Sequence, residues 1–186
     1  MVQNQRYTVA EFEQFCRLPE NQDRLFELIQ GTIVEKLPTE ADSFLLGNIG
    51  CALGYYVKQT KTGRIGYHVD HCLPHDSYNL RMPDLSLNQV RRPLITEGCV
   101  PDMPALAIEI QLPDVLVEQM RAKAAYYLAN GSRLVWLVYP RKHFIEVYCP
   151  DADVELLFEG DMLTGGDVLP GFALPVAEVF ADLLAA

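Results

Sequence analysis

The chain has 186 residues, 49% of them hydrophobic and 22% charged, the profile of an ordinary globular protein able to bury a core within a single domain, 1–186. Its formal net charge of -10 provides no overall pull toward nucleic acid, which counts against such a partner. No apolar run approaches the roughly 20 residues of a membrane helix, there is no charged-then-apolar leader pattern, and the 5 cysteines are odd in number, far apart and without a C-x-x-C pair. A disulfide framework and a zinc ribbon are both disfavoured, and the expectation is a cytoplasmic protein in a reducing compartment, with no membrane partner.

The capping-box pattern at 8–11, TVAE, predicts a first helix running to about residue 18. RLFELIQGTIVEKL reads as two strands joined at Gln30-Gly31, a β-hairpin. By alternation Glu27 shares a face with Leu25 and Ile29 and so points inward; the alternative is a hairpin glutamate paired with a surface Lys or Arg. A long helix begins near Thr39. Its apolar residues, from Phe44 and Leu45 through Ile49 and Leu53 to Val57, recur at three and four, and glycines 47, 50 and 54 point to close packing.

RIGYHV and RMPDLSL follow as strands, 88–104 as a loop, and ALAIEIQ (105–111) as a strand apolar on both faces except at one patch. A helix covers about 115–129 and stops at Asn130-Gly131. RLVWLVYP is near-continuously apolar, as a strand covered on both sides is. HFIEVYC and VELLFEG extend the sheet around a PRKH turn, and the tail LPGFALPVAEVF ends in a short helix. The strand–helix–strand order at 105–139 implies a right-handed parallel crossover. The sum is an α/β fold: a central mixed β-sheet flanked by helices, with an N-terminal helix and β-hairpin. No glycine-rich phosphate loop follows a strand, so no organic cofactor is expected.

Three polar residues intrude on this apolar plan. In 105–111, Glu109 and Gln111 share a face with two alanines, opposite Leu106, Ile108 and Ile110. Asp84 lies opposite Leu85 and Leu87. Lys123 interrupts the inward stripe of Leu116, Met120 and Tyr127. If the strands are neighbours, two carboxylates and one ammonium meet. Such groups pair, or they bind a hard cation such as Mg²⁺ through oxygen ligands. A metal there polarises a phosphodiester, and the lysine orients the nucleophile or steadies developing negative charge. The plainer account is a Glu109–Lys123 ion pair within a core. His68, His71, Cys72 and His75 are zinc-ligand types at short spacing, but Pro74 forbids a continuing helix, and polar strand-and-turn residues are the reading. Tyr126, Tyr127 and Trp136 read as core. The basic clusters, Lys58 with Lys61 and Arg64, Arg91 with Arg92, and Arg141 with Lys142, read as solvated surface.

Asp84 after Pro83, then Glu109-Ile110-Gln111 one strand later, resembles the PD-(D/E)XK nuclease superfamily. The segments YTVAEFE, FELIQGTIVEK, RMPDLSL, ALAIEIQLP, RAKAAYYLANGSRLVWLVYP and GGDVLPGFALPVAEVF together resemble one bacterial family within it, domain of unknown function 820, over nearly the whole chain. The resemblance implies a restriction-endonuclease-like fold and metal-dependent hydrolysis of DNA. Asp84 and Glu109 would hold Mg²⁺ or Mn²⁺, with the main-chain carbonyl of Ile110 and Glu27 as further ligands. Lys123 would position the attacking water, standing in for the motif lysine whose place Gln111 occupies, and Gln111 would support the site from behind. By analogy with other nucleases a homodimer is expected. The chain departs from the family pattern at Leu112, where a serine is frequent, and at Asp42-Ser43, where a histidine is. Two other functions are compatible with the residues: a non-catalytic module that binds nucleic acid or protein, and hydrolysis of a small nucleotide.

Overall fold

The computed structural model of the chain describes residues 6–89 and 92–183; Arg91 of the basic pair lies outside them. Thr8 caps α1 (Val9–Cys16): its hydroxyl accepts from the Glu11 N–H, and its own N–H donates to the Glu11 carboxylate at 2.7 Å. The hairpin β1 (Leu25–Ile29) and β2 (Thr32–Lys36) turns on Gln30 and Gly31, whose φ angles of 51° and 83° are those of a two-residue turn matched to strand twist. Thr39 and Asp42 cap α2 (Glu40–Thr60) as Thr8 and Glu11 cap α1. Strands β3 (Arg64–Tyr67), β4 (His71–Leu73), β5 (Asp76–Arg81), β6 (Leu85–Asn88) and β7 (Leu106–Ile110) precede α3 (Val117–Ala129). Then come β8 (Leu134–Tyr139), β9 (Phe144–Tyr148), β10 (Glu155–Phe158), β11 (Met162–Gly165), β12 (Leu169–Pro175) and α4 (Val176–Val179).

The main sheet has the order β10-β9-β8-β7-β6-β3. It is mixed: β7 and β8, joined through α3, run parallel, and the other neighbours run antiparallel. Leu106, Ile108 and Ile110 pack on one face with Leu45, Ile49 and Leu53 of α2. Ala107, Val135 and Leu137 pack on the other face with Met120, Ala124 and Tyr127 of α3. Burying both faces is what makes these strands continuously apolar. Gly50 is where α2 comes closest to the sheet edge, because a Cβ there would collide with the Tyr67 hydroxyl. A second sheet, β2-β1-β5-β4, carries α1, with Phe12 against Phe26, Leu28 and Leu80. No helix among the described residues is long and apolar enough to cross a membrane.

Several expectations need correction. RMPDLSL is not one strand: Arg81 ends β5 in the smaller sheet, 82–84 bends, and β6 begins at Leu85 in the larger one. Pro83 has no N–H to give to a ladder, so the chain changes sheets there. His71 and Cys72 lie in β4 and His75 in the turn after it, as read from the sequence, but β5 pairs back on β4, and β11–β12 adds a hairpin that the tail's pattern did not reveal. The cysteines are not all free: Cys72 and Cys99 form a disulfide. The loop after β6 folds back beside β4, where Cys72 N–H donates to Val100 and Val100 N–H to Asp70, a contact that cysteine spacing cannot foretell. In the same corner His71 Nδ1 meets the Asp102 carbonyl at 2.8 Å.

The disulfide joins residues 27 apart. Closing a loop of that length stabilises the fold by about 3 kcal/mol through the unfolded chain. Reductant, or Cys99→Ser, is expected to lower the urea midpoint accordingly, and an unchanged midpoint would show that the bond constrains nothing.

Candidate active site

Glu109 is the last but one residue of β7, on the face that meets α3, and is 1% exposed. Its Oε1 accepts from the Tyr127 hydroxyl at 2.7 Å, and its Oε2 accepts from Lys123 at 2.9 Å and Lys36 at 3.3 Å. Asp84 lies in the bend between the two sheets. Its Oδ2 accepts the Ile110 N–H at 2.7 Å, and its Oδ1 lies 2.5 Å from Lys36 Nζ. Glu27 enters from β1, also 1% exposed; Lys123 reaches its Oε2 at 2.6 Å, and Met82 N–H reaches its Oε1 at 3.1 Å. Lys36 completes its set by donating to the Met82 carbonyl at 3.0 Å. His68 Nε2 stands 3.8 Å from Asp84 Oδ1.

Helix α3 is held in place by two carboxylates of the same sheet face. Glu109 pairs across to Leu137, and Leu137 to Glu146, so the two glutamates flank one leucine. Glu146 is fully buried and accepts from Arg121 at 2.5 Å and from the Tyr139 and Tyr148 hydroxyls, each at 2.8 Å. Lys123 and Arg121 lie on either side of the inward stripe at Met120. The helix is thus gripped on both flanks, and its rotation directs Lys123 to the cluster.

Burial works against the charged forms, and the pairing overcomes it. Burial raises the Glu109 pKa, but Lys123 and Lys36 hold it down at about 2. Burial would discharge Lys36, yet Glu109, Asp84 and Glu27 raise its pKa; Lys123 is raised likewise, chiefly by Glu109 against its own burial. Asp84 goes the other way: burial, with the Glu109 charge, raises its pKa against the pull of Lys36. Burial lowers the His68 pKa, which leaves a neutral imidazole at neutral pH. Burial and Glu109 raise Tyr127 well above its ordinary value, so its hydroxyl stays a donor.

The residues singled out in the sequence thus meet in part. Asp84, Glu109, Lys123 and Glu27 form one bonded network, and the Ile110 main chain adjoins Asp84. Gln111 does not join it: its amide donates to the Val115 carbonyl at 2.7 Å and braces the turn into α3. Lys36, Tyr127 and His68 were missed as site residues. For Lys36 a signal existed, since a two-residue turn at Gln30-Gly31 pairs Glu27 with Val34 and so puts Lys36 on the Glu27 face. Tyr127 was placed in the core and is there, with its hydroxyl spent on Glu109.

A mixed sheet between helices, carrying Asp, Glu and Lys at one buried point, is a nuclease-like arrangement. The chain matches the Uma2 family model, described as "Putative restriction endonuclease", over residues 10–177, and belongs to that family. A crystal structure from Anabaena variabilis ATCC 29413, titled a putative nuclease belonging to DUF820, shares the fold: the TM-score is 0.80 and the identity 22%, over 95% of this chain and 99% of that one. No curated protein matches.

Two outcomes follow from the electrostatics. Glu109 titrates at about 2 in the folded protein against an ordinary 4.5. Its folded pKa is depressed, so its contribution, on the order of 3 kcal/mol, is present above the ordinary value and lost as the pH falls from there toward 2. Urea unfolding across that window is expected to show a flatter pH dependence in Glu109→Gln than in the wild type; parallel curves would refute the assignment. Lys36→Met strips Asp84 of its cation and is expected to cost about 3–5 kcal/mol. Asp84→Asn on that background should restore part of it, and a double-mutant cycle with no coupling would contradict the pairing.

Proposed function

We propose that this protein is a metal-dependent nuclease that hydrolyses DNA phosphodiester bonds. The observation that carries the reading is the position of Lys36. Its one ammonium lies 2.5 Å from Asp84 Oδ1 and 3.3 Å from Glu109 Oε2, so the two carboxylates already converge on a single cation. That ammonium is a stand-in for a divalent ion, and hard carboxylate oxygens suit Mg²⁺ or Mn²⁺. Among the described residues no three His, Cys, Asp or Glu side chains are grouped to hold an ion by themselves. Asp84 and Glu109 would therefore hold it with the Ile110 carbonyl and water, and with Glu27 as a further carboxylate once Lys123 releases it. When bound, such an ion polarises the phosphodiester and acidifies a water.

The chain's own groups supply the rest. Lys36 withdraws toward the Met82 carbonyl it already contacts. Lys123, which would keep its contact with Glu109 on releasing Glu27, holds a positive charge where the attacking water and the developing phosphorane charge are steadied. Tyr127 fixes one oxygen of Glu109 so that the other faces the site. Gln111 braces the turn that carries α3. Two copies of the chain would offer two such sites to two strands.

Lys36 also favours a second reading. Left between Asp84 and Glu109, it closes the cluster into a paired ionic core, and the domain is then a non-catalytic module that binds nucleic acid or protein. Plasmid nicking with Mn²⁺ is expected of the wild type and not of Asp84→Ala; equal nicking by both would sink the catalytic claim. In calorimetry, a Mn²⁺ heat that vanishes in Glu109→Gln supports the nuclease, whereas no Mn²⁺ heat in the wild type supports the module.

A further inference from the structure

The carboxylate–lysine cluster is one wall of a cavity of about 500 Å³ between the β1–β2 hairpin and α3. Ile29, Val34, Leu112 and Met120 supply an apolar wall, and Arg81 and Tyr126 line the cavity too. Arg81, the last residue of β5, is 4% exposed. Its Nη2 donates to the Asn79 side-chain oxygen at 3.2 Å, and its guanidinium carbon lies 4.2 Å over the Tyr126 ring. Tyr126 is itself held by its hydroxyl, which donates to Asp76 at 3.0 Å. Arg81 Nε has no hydrogen-bond partner, and none of the ion pairs among the described residues includes this guanidinium. Lys36 and Lys123 line the same cavity, but their ammoniums are bonded to carboxylates.

A buried guanidinium with an idle N–H carries a desolvation cost that an arriving anion relieves. Its planar fork matches the oxygens of a phosphate, and stacking on Tyr126 fixes the plane of the fork in advance. The volume falls within the range of small-ligand pockets, roughly 300–1,000 Å³, which suits one nucleotide and not a base-paired stack. We propose that this cavity seats one nucleotide, its phosphate on the Arg81 guanidinium and its base and sugar against the apolar wall. Assigning that phosphate to a nucleic-acid strand rests on the nuclease reading above. A strand then presents one unpaired nucleotide at a time to the cluster, at an end or at a melted stretch such as a supercoiled plasmid offers. That entry needs no broad basic surface, in keeping with the net charge of -10.

Metal-free calorimetry in EDTA tests this without reference to cleavage. Thymidine 5′-monophosphate is expected to bind about tenfold or more tighter than thymidine, as a charge-assisted contact to the phosphate requires. Arg81→Gln is expected to remove that preference, and Arg81→Lys to keep only part of it, since a point charge cannot reproduce the fork. Thermal melts report whether these variants fold. Leu112→Trp leaves Arg81 untouched and fills the apolar wall, and it is expected to block the monophosphate. Equal binding of nucleoside and nucleotide would overturn the proposal, as would wild-type affinity in both Arg81→Lys and Leu112→Trp. A 5′-phosphorylated single strand that displaces the monophosphate supports the strand assignment; failure to displace it overturns that assignment in favour of a free nucleotide. Binding without plasmid nicking would defeat the nuclease and leave this site standing, and nicking without binding would do the reverse.

Discussion

The buried network of Glu27, Lys36, Asp84, Glu109 and Lys123 is the constraint from which the rest of the structure takes its shape. Its members come from both sheets, from the bend between them and from α3. Three carboxylates against two ammoniums leave one net negative charge in a space that water barely reaches. Desolvating five charges is so costly that only close, multiply bonded geometry makes the arrangement tolerable. Removing either lysine leaves buried carboxylates uncompensated. The network therefore dictates where the smaller sheet, the larger sheet and the helix stand relative to one another.

The apolar layers supply the rigidity that such precision requires. Strand β7 is covered on one side by α2 and on the other by α3, so Glu109 has no freedom to leave its position. The second grip on α3, through Arg121 and Glu146, stops the helix from rolling and carrying Lys123 out of reach. Pro83 ends the ladder of β5 and allows Asp84 to aim its carboxylate at the Ile110 N–H rather than continue a strand. Together these features bring three carboxylates and two ammoniums to one buried point.

Charge and shape bear together on function. A chain with a net charge of -10 is poorly suited to gather duplex nucleic acid over a broad surface. A cavity of about 500 Å³ lined by a buried guanidinium would concentrate the attraction at one point and leave the remaining surface acidic. Lys36 holds Asp84 and Glu109 against a single ammonium.

Much of this was legible in the amino-acid order because the signals are local. Alternation in ALAIEIQ placed Glu109 opposite the leucine and isoleucines, helical spacing placed Lys123 on the inward stripe, and a capping box marked the start of α1. The hairpin turn at Gln30-Gly31 even contained the position of Lys36, through strand register. Other features depend on contacts between distant segments. The Cys72–Cys99 bond requires the loop after β6 to fold back beside β4, and Arg81 stacks on Tyr126, which the distant α3 brings over it. Gln111 had the right motif position for the site, but its amide found a nearer carbonyl. Periodicity says which face a side chain takes; which partner waits on that face is settled by long-range packing, and no local pattern carries that information.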